Sequence, residues 1–193
     1  LWKGGLTAIH ATLVYWENTE ESFNKLSEIE KLIKENSDII CHAKKTQDIL
    51  DAKKNNKVAF IFGFQNSAPI ANDIFLIEKF FNRGLRFMQL TYNNQTPLAG
   101  GCFEPKDSGV SRFGKAVIEE MNHLGMIVDL SHAGKTTCID AIEFSKKPVA
   151  ISHANPSFFY HSLRNIDNDV LSALVNKDGF IGLSLYPYHL KDY

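Results

Sequence analysis

The sequence predicts an α/β fold built from parallel βαβ units. Short apolar runs alternate along the chain with amphipathic segments, which is the pattern of strands separated by helices. The last five predicted strands are spaced as in a (β/α) barrel, although a doubly wound sheet fits the same alternation. Polar side chains follow the predicted strands, and in a barrel the active site lies at this carboxyl-terminal edge.

The individual elements follow from apolar periodicity and from the residues that begin or end helices. Asn18 with an acid at Glu21 is typical of a helix start, and Gly125 of a helix end. A continuous apolar run indicates a strand buried on both faces. Strands are predicted over residues 6–15, 39–43, 57–64, 85–91, 126–130, 148–152 and 180–185. Helices are predicted over residues 19–33, 46–52, 73–81, 111–125, 136–144 and 165–175, with a long loop over residues 92–110 that is expected to be functional.

Composition excludes several classes of protein. The 193 residues suit one domain, and a net charge of −1 gives no basic surface for nucleic acid. The sequence has no apolar run of the roughly 18 residues that span a membrane. The three cysteines lie far apart in the sequence, which argues against a disulfide framework and against a thiolate zinc site. A cytoplasmic location is therefore expected, and export of the parent protein is the alternative. Because the chain begins at Leu1 without a methionine, we interpret it as the interior of a longer protein.

Two apolar runs that break off at Ser-His carry the strongest functional signal. They end at His132 and His153, with a helical segment between them. If the runs are neighbouring parallel strands, both imidazoles emerge at one edge of the sheet, where they could share a metal ion. The alternative is a pair of structural histidines. The residues alone leave these two interpretations open.

Other polar residues at the predicted strand ends have weaker signals. Gln65 follows a buried strand, but an amide is a poor ligand for a divalent metal beside a carboxylate, and hydrogen bonding to a loop explains it equally well. Asp129 is a candidate for orienting a neighbouring group. Arg164 could clamp a carboxylate, although an arginine is usually a solvated charge. No residue is assigned as a catalytic acid or base.

The sequence resembles the membrane (renal) dipeptidase family, peptidase family M19 of the amidohydrolase superfamily. The matching segments are residues 84–93, Phe113-Gly114, residues 120–132 with the Asp-Leu-Ser-His block, residues 148–153 and residues 161–165. The resemblance implies a (β/α)8 TIM-type barrel, of which residues 1–193 would be the central portion of a single domain. It also implies a binuclear zinc site that hydrolyses dipeptides, with a small peptide-like substrate and room for a homodimer.

The resemblance assigns roles to particular residues. His132 and His153 match the histidines that bind the second zinc ion, and Arg164 matches the arginine that holds the substrate carboxylate. Gln65 stands where the family has a bridging glutamate, so one or two zinc ions are expected and the second is in doubt. Tyr92 stands where many members have a substrate-contacting histidine and can still donate a hydrogen bond.

The family also has an N-terminal His-x-Asp pair and a late aspartate, and neither has a match in this sequence. These further ligands would lie outside the chain. The predicted function is therefore a zinc-dependent dipeptidase-like hydrolase that uses a metal-activated water. Two alternatives remain. One is a catalytically impaired barrel that binds ligands or takes part in assembly, and the other is a mononuclear amidohydrolase that acts on another small amide or lactone.

Overall fold

A computed structural model describes residues 2–191, in which strands alternate with α-helices as the sequence predicts. The predicted α/β class is confirmed. The strands are β1 (Ala8–Val14), β2 (Ile40–His42), β3 (Val58–Phe64), β4 (Leu85–Gln89), β5 (Ile127–Asp129), β6 (Ala150–Ala154) and β7 (Phe180–Leu183). The helices are α1 (Thr19–Glu35), α2 (Thr46–Lys54), α3 (Phe75–Asn82), α4 (Arg112–Leu124), α5 (Lys135–Phe144) and α6 (Asn168–Asn176).

The chain forms two compact units, and the first ends at Met88. In this unit β3 pairs in parallel with β1, β2 and β4. Most residues of β3 are buried, which agrees with the continuous apolar run predicted to be covered on both faces. Helix α3 adds an apolar face. The largest fully buried side chains here include Leu26, Phe62, Phe64, Ile77 and Phe80.

The second unit begins at Gln89 and contains a parallel sheet of β5, β6 and β7. Asp129 of β5 is in register with Ala150 of β6, and Ile151 of β6 is in register with Ile181 of β7. Helices α4, α5 and α6 contribute apolar residues to the core of this unit. Those buried side chains include Val117, Ile118, Met121, Ala141, Val170 and Leu174.

Three helix boundaries have the predicted chemical basis. The Asn18 side chain accepts a hydrogen bond from the Glu21 amide, and the Glu21 side chain accepts one from the Asn18 amide, which completes a capping box. The Ser111 hydroxyl accepts a bond from the Gly114 amide at the start of α4. Gly125 ends α4 in the left-handed conformation, with φ of 79°.

Several predicted boundaries differ from the observed ones, and two of the differences bear on the site. Helix α6 begins at Asn168 rather than at residue 165, because Ile166 forms a parallel bridge with Pro156 and Asp167 has an extended backbone at the N-cap. Strand β6 continues to Ala154, so His153 lies within the strand rather than at its end. Residues 92–110 form the predicted loop, in which pairing is limited to isolated bridges. No helix within residues 2–191 has the length and apolar character needed to cross a membrane.

Candidate metal centre

His132 and His153 converge in the C-terminal unit. Asp129 and Ala150 are in register, and the site residues lie three positions after each of them, in the turn that follows β5 and within β6. These residues are the two histidines, and their Nε2 atoms are 2.9 Å apart. His132 is buried, and His153 is partly buried. The structure therefore brings together the two side chains that the Ser-His pattern predicted as partners.

The other ring nitrogen of His132 is held by Asn93. Nδ1 of His132 lies 2.6 Å from Asn93 Oδ1, and the Cys102 thiol donates to the same oxygen at 3.6 Å. Since an amide oxygen only accepts, Nδ1 of His132 carries the proton in this contact. The Tyr92 ring stacks on His132 with a centroid distance of 4.2 Å. This residue, predicted to contact substrate, thus lies against a candidate ligand.

The other ring nitrogen of His153 contacts a serine that is linked to a buried carboxylate. Nδ1 of His153 lies 2.8 Å from Ser152 Oγ, and Ser152 Oγ lies 2.5 Å from Asp129 Oδ2. Asp129 is fully buried. Burial by itself raises the pKa of Asp129, but hydrogen bonds from Ser152, Ser131 and Gln89 outweigh it and lower the pKa below its usual value. Asp129 is therefore a carboxylate.

This arrangement fits a bound divalent metal. Zinc–nitrogen bonds of about 2.0–2.1 Å at a tetrahedral angle place two ligand nitrogens about 3.3 Å apart. The observed Nε2 separation between His132 and His153 is 2.9 Å, shorter than this distance, so the two rings would move slightly apart to bind one zinc ion at that angle. Burial, with the charge of Arg164, lowers the pKa of His132 to about 2, so its ring is neutral, the form that binds metal. Imidazole, in turn, is a ligand that zinc prefers.

Arg164 lies next to this pair through the backbone. Its Nη2 donates to the His153 carbonyl at 3.0 Å, and its side chain is only 5% exposed. Burial lowers the pKa of Arg164. Within residues 2–191, Arg164 forms no ion pair with an acidic side chain. A buried cation without an anionic partner is costly, so the position favours an anionic ligand.

Comparison with known proteins identifies the family. Residues 4–192 match the profile of membrane dipeptidase, peptidase family M19. The chain belongs to this family. It is 33% identical to mouse Dipeptidase 3 over 135 residues, which cover 67% of this chain and 27% of that protein. The chain thus spans less than a third of that relative.

Solved structures share the fold of this chain. An amidohydrolase from Pseudomonas aeruginosa has a TM-score of 0.92 and 37% identity, covering 94% of this chain and 56% of that one. A metallo peptidase from Rhodobacter sphaeroides, solved with a phosphinate mimic of the dipeptide L-Ala-D-Ala, has a TM-score of 0.80 at 17% identity. It covers 90% of this chain and 52% of that one, and it supports the fold alone. The predicted fold class, a TIM-type barrel partly covered by this chain, is confirmed.

In this M19 chain, Gln65 belongs to the N-terminal unit. It directly follows β3, is partly buried, and donates its backbone N–H to the Val14 carbonyl at 2.9 Å. No group of three or more His, Cys, Asp or Glu side chains within residues 2–191 is placed to hold a metal ion. Among the candidate ligands in residues 2–191, the structure brings together His132 and His153.

Two asparagines that the sequence analysis did not single out fix the segment that carries Arg164. Asn165 Oδ1 accepts from the Asn155 amide at 3.1 Å, and its Nδ2 donates to the Tyr160 and His189 carbonyls at 2.8 and 2.9 Å. Asn155 and Asn165 are both buried. An asparagine is commonly a turn or cap residue, so the sequence held no signal for this network.

A cavity of about 310 Å³ lies beside the same segment in the C-terminal unit. Its lining includes Cys102, Glu104, Lys135, His161 and Leu163. Pockets for small ligands begin at roughly 300 Å³, so the volume suits a small molecule or part of one. His161 contributes to this lining.

Proposed function

We propose that the protein containing this chain is a zinc-dependent hydrolase that cleaves dipeptides or similar small amides, with His132 and His153 as metal ligands. The observation that carries the proposal is the 2.9 Å approach of the two Nε2 atoms, with each Nδ1 held by a side-chain oxygen. Metal-binding histidines usually have their second nitrogen held in this way. Membership of the M19 family supports the same conclusion.

The substrate class follows from Arg164. Its guanidinium is buried, and a planar guanidinium matches a carboxylate with two parallel hydrogen bonds. A dipeptide carries a terminal carboxylate close to its only peptide bond. The Arg164 side chain donates to the backbone of His153, so a carboxylate bound there would place the neighbouring amide near the histidine pair. Tyr92, stacked on His132, is proposed as a further substrate contact.

The chain's own groups would orient and hold the reactants. A bound zinc ion supplies a Lewis acid that polarises an amide carbonyl and makes water a stronger nucleophile near neutral pH. His132 and His153 would hold the ion through Nε2, and burial of His132 would limit the access of bulk water. Arg164 would hold the substrate carboxylate and fix its orientation, which lowers the entropic cost of reaction.

Gln65 bears on the number of ions. By the family resemblance it replaces a bridging glutamate, and a neutral amide provides less charge for two divalent ions than a carboxylate does. We therefore propose one firmly bound zinc ion and a weak second site. The same residue favours the second candidate functions, which are a mononuclear amidohydrolase for another small amide or lactone and a barrel that binds ligands without turnover.

Metal analysis combined with a dipeptide hydrolysis assay on the full-length protein tests the proposal. We expect bound zinc and turnover, and we expect His153→Gln to lose most of both. His123→Gln is the matched control, because His123 is exposed near the end of α4. Absence of zinc and of turnover in the natural protein would contradict the enzyme function. Turnover of lactones but not of dipeptides would favour the mononuclear candidate.

Gln65→Glu tests the effect of the missing carboxylate. We expect the zinc content per chain to rise, because the substitution restores an anionic ligand to that position. Gln47→Glu makes the same charge change on the exposed surface of α2 and should leave the zinc content unchanged. An unchanged zinc content in Gln65→Glu would show that residue 65 is not a metal ligand.

A further inference from the structure

We propose that Asp129 is a positioning residue of the metal centre: through the Ser152 hydroxyl it fixes His153 in the tautomer with the proton on Nδ1, leaving Nε2 as the ligand atom. Asp129 touches neither imidazole itself in the hydrogen bonds of this cluster, so its effect passes through Ser152. The metal-binding consequence rests on the proposed function. The tautomer itself does not.

The direction of each hydrogen bond follows from counting protons. An ionised carboxylate only accepts, and a serine hydroxyl has one proton to donate. Ser131 Oγ lies 2.8 Å from Asp129 Oδ1, and Ser152 Oγ lies 2.5 Å from Asp129 Oδ2. Both hydroxyl protons are therefore given to Asp129. The 3.2 Å contact between the two hydroxyl oxygens has no proton left to share.

With its proton committed, Ser152 can only accept from His153. The 2.8 Å contact between Ser152 Oγ and His153 Nδ1 is then an Nδ1–H donor bond. A neutral imidazole has one N–H, so Nε2 of His153 keeps its lone pair. That lone pair faces Nε2 of His132, 2.9 Å away. Two lone pairs at this distance repel unless a cation lies between them, which is the condition for shared metal binding.

Asp129 also joins the two backbone segments that carry the histidines. Its Oδ1 accepts from the Ser131 and Ser152 amides, each at 3.0 Å, and Ser131 Oγ accepts from the His153 amide at 3.1 Å. Gln89 Nε2 donates to Oδ2 at 3.1 Å. Five hydrogen bonds thus compensate for the burial of a carboxylate that forms no ion pair within residues 2–191. Of the five groups that donate to Asp129, only the Ser152 hydroxyl also contacts an imidazole ring.

The test reads the tautomer directly by two-bond ¹H–¹⁵N correlation spectra of the full-length protein, labelled at histidine and freed of metal with a chelator. We expect His153 to carry its proton on Nδ1, with the signal assigned by its loss in His153→Gln. In Asp129→Asn the amide group can donate to Ser152, which then donates to Nδ1. We expect the proton to move to Nε2 and zinc affinity to fall by about 10–100-fold.

Ser152→Ala keeps the test decisive if Asp129→Asn does not fold. It removes the link to His153 while four hydrogen bonds to Asp129 come from other groups or from the backbone. We expect mixed tautomers at His153 and weaker zinc binding, with both restored in Ser152→Thr. Ser131→Ala is the control for the tautomer, because the Ser131 hydroxyl binds the same carboxylate and the His153 backbone amide but does not contact Nδ1.

Two results would overturn the inference: an Nε2–H tautomer of His153 in the natural protein, or unchanged tautomer and zinc affinity in Ser152→Ala. A failure of the proposed function gives a different result. In that case the natural protein shows the Nδ1–H tautomer, and Ser152→Ala disturbs it, but no zinc binds.

Discussion

His132 and Asn93 are joined side chain to side chain, and both hold a left-handed backbone. Nδ1 of His132 lies 2.6 Å from Asn93 Oδ1, and φ is 68° at His132 and 66° at Asn93. Left-handed dihedrals are uncommon outside glycine, and they cost free energy that the surrounding structure must offset. Here they turn the imidazole and its partner toward each other. The strain therefore has an identifiable result, which is the orientation of one candidate ligand.

Substitution at Asn93 separates the hydrogen bond from the backbone conformation. Asn93→Gly removes the contact to His132 but adopts positive φ without strain, whereas Asn93→Ala loses the contact and is also strained. We expect both variants to bind zinc about 10–100-fold more weakly, and only Asn93→Ala to lose about 1 kcal/mol of unfolding free energy in addition. Zinc competition and urea unfolding of the metal-free protein measure the two effects. Unchanged zinc affinity in Asn93→Gly would show that the contact does not orient His132.

Gly101 supports Asn93 from the other side. A Cβ at Gly101 would lie 2.0 Å from the Asn93 carbonyl oxygen, a backbone atom that cannot move without the loop. We expect Gly101→Ala to cost about 1–3 kcal/mol of unfolding free energy and to weaken zinc binding. Gly4→Ala is the control, because nothing lies within 4 Å of a Cβ there. If Gly101→Ala matched this control in urea unfolding, the tight packing against Asn93 would be disproved.

The sequence could predict the histidine pair but not what holds it. Neighbouring parallel strands end at the same edge of a sheet, so two Ser-His segments that follow apolar runs predicted that His132 and His153 meet. The Asn93 contact depends on left-handed dihedrals in a loop, which no periodic pattern encodes. The observed end of β6 lies beyond the predicted one because pairing with β7 continues to Ala154. This pairing is a tertiary effect that local propensity does not contain.

Arg164 gives a prediction about substrate discrimination. Charged hydrogen bonds contribute about 1.5–3 kcal/mol, so loss of the guanidinium should weaken recognition of a carboxylate by about 10–100-fold. We expect Arg164→Met to raise KM for a dipeptide by this factor, while a dipeptide with an amidated carboxyl terminus is cleaved about equally poorly by both proteins. Arg112→Met makes the same change at an exposed position in α4, and we expect it to leave KM unchanged. If Arg164→Met lost activity by the same factor on the free and the amidated dipeptide, relative to the natural protein, Arg164 would have a purely structural role.

His42 provides a prediction of pH dependence in the N-terminal unit. Its ring stacks on Phe62 with a centroid distance of 3.6 Å, and burial lowers its pKa from 6.5 to about 4 despite an opposing contact with the Gly84 carbonyl. Above pH 6.5 the ring is neutral in both the folded and the unfolded chain, so it adds no pH dependence. Between pH 6.5 and 4 the unfolded chain binds a proton that the folded chain excludes, and stability therefore falls as the pH falls.

The size of this effect can be isolated with one substitution and one control. A shift from 6.5 to about 4 corresponds to about 3 kcal/mol, and solvent screening at the partly exposed His42 ring reduces this contribution to roughly 1–2 kcal/mol. We expect His42→Gln to flatten the decline in unfolding free energy between pH 6.5 and 4 by this amount, measured by urea unfolding of the metal-free protein. His123→Gln, at an exposed position, should leave the decline unchanged. An equal slope in His42→Gln and the natural protein would show that the buried ring is not the source.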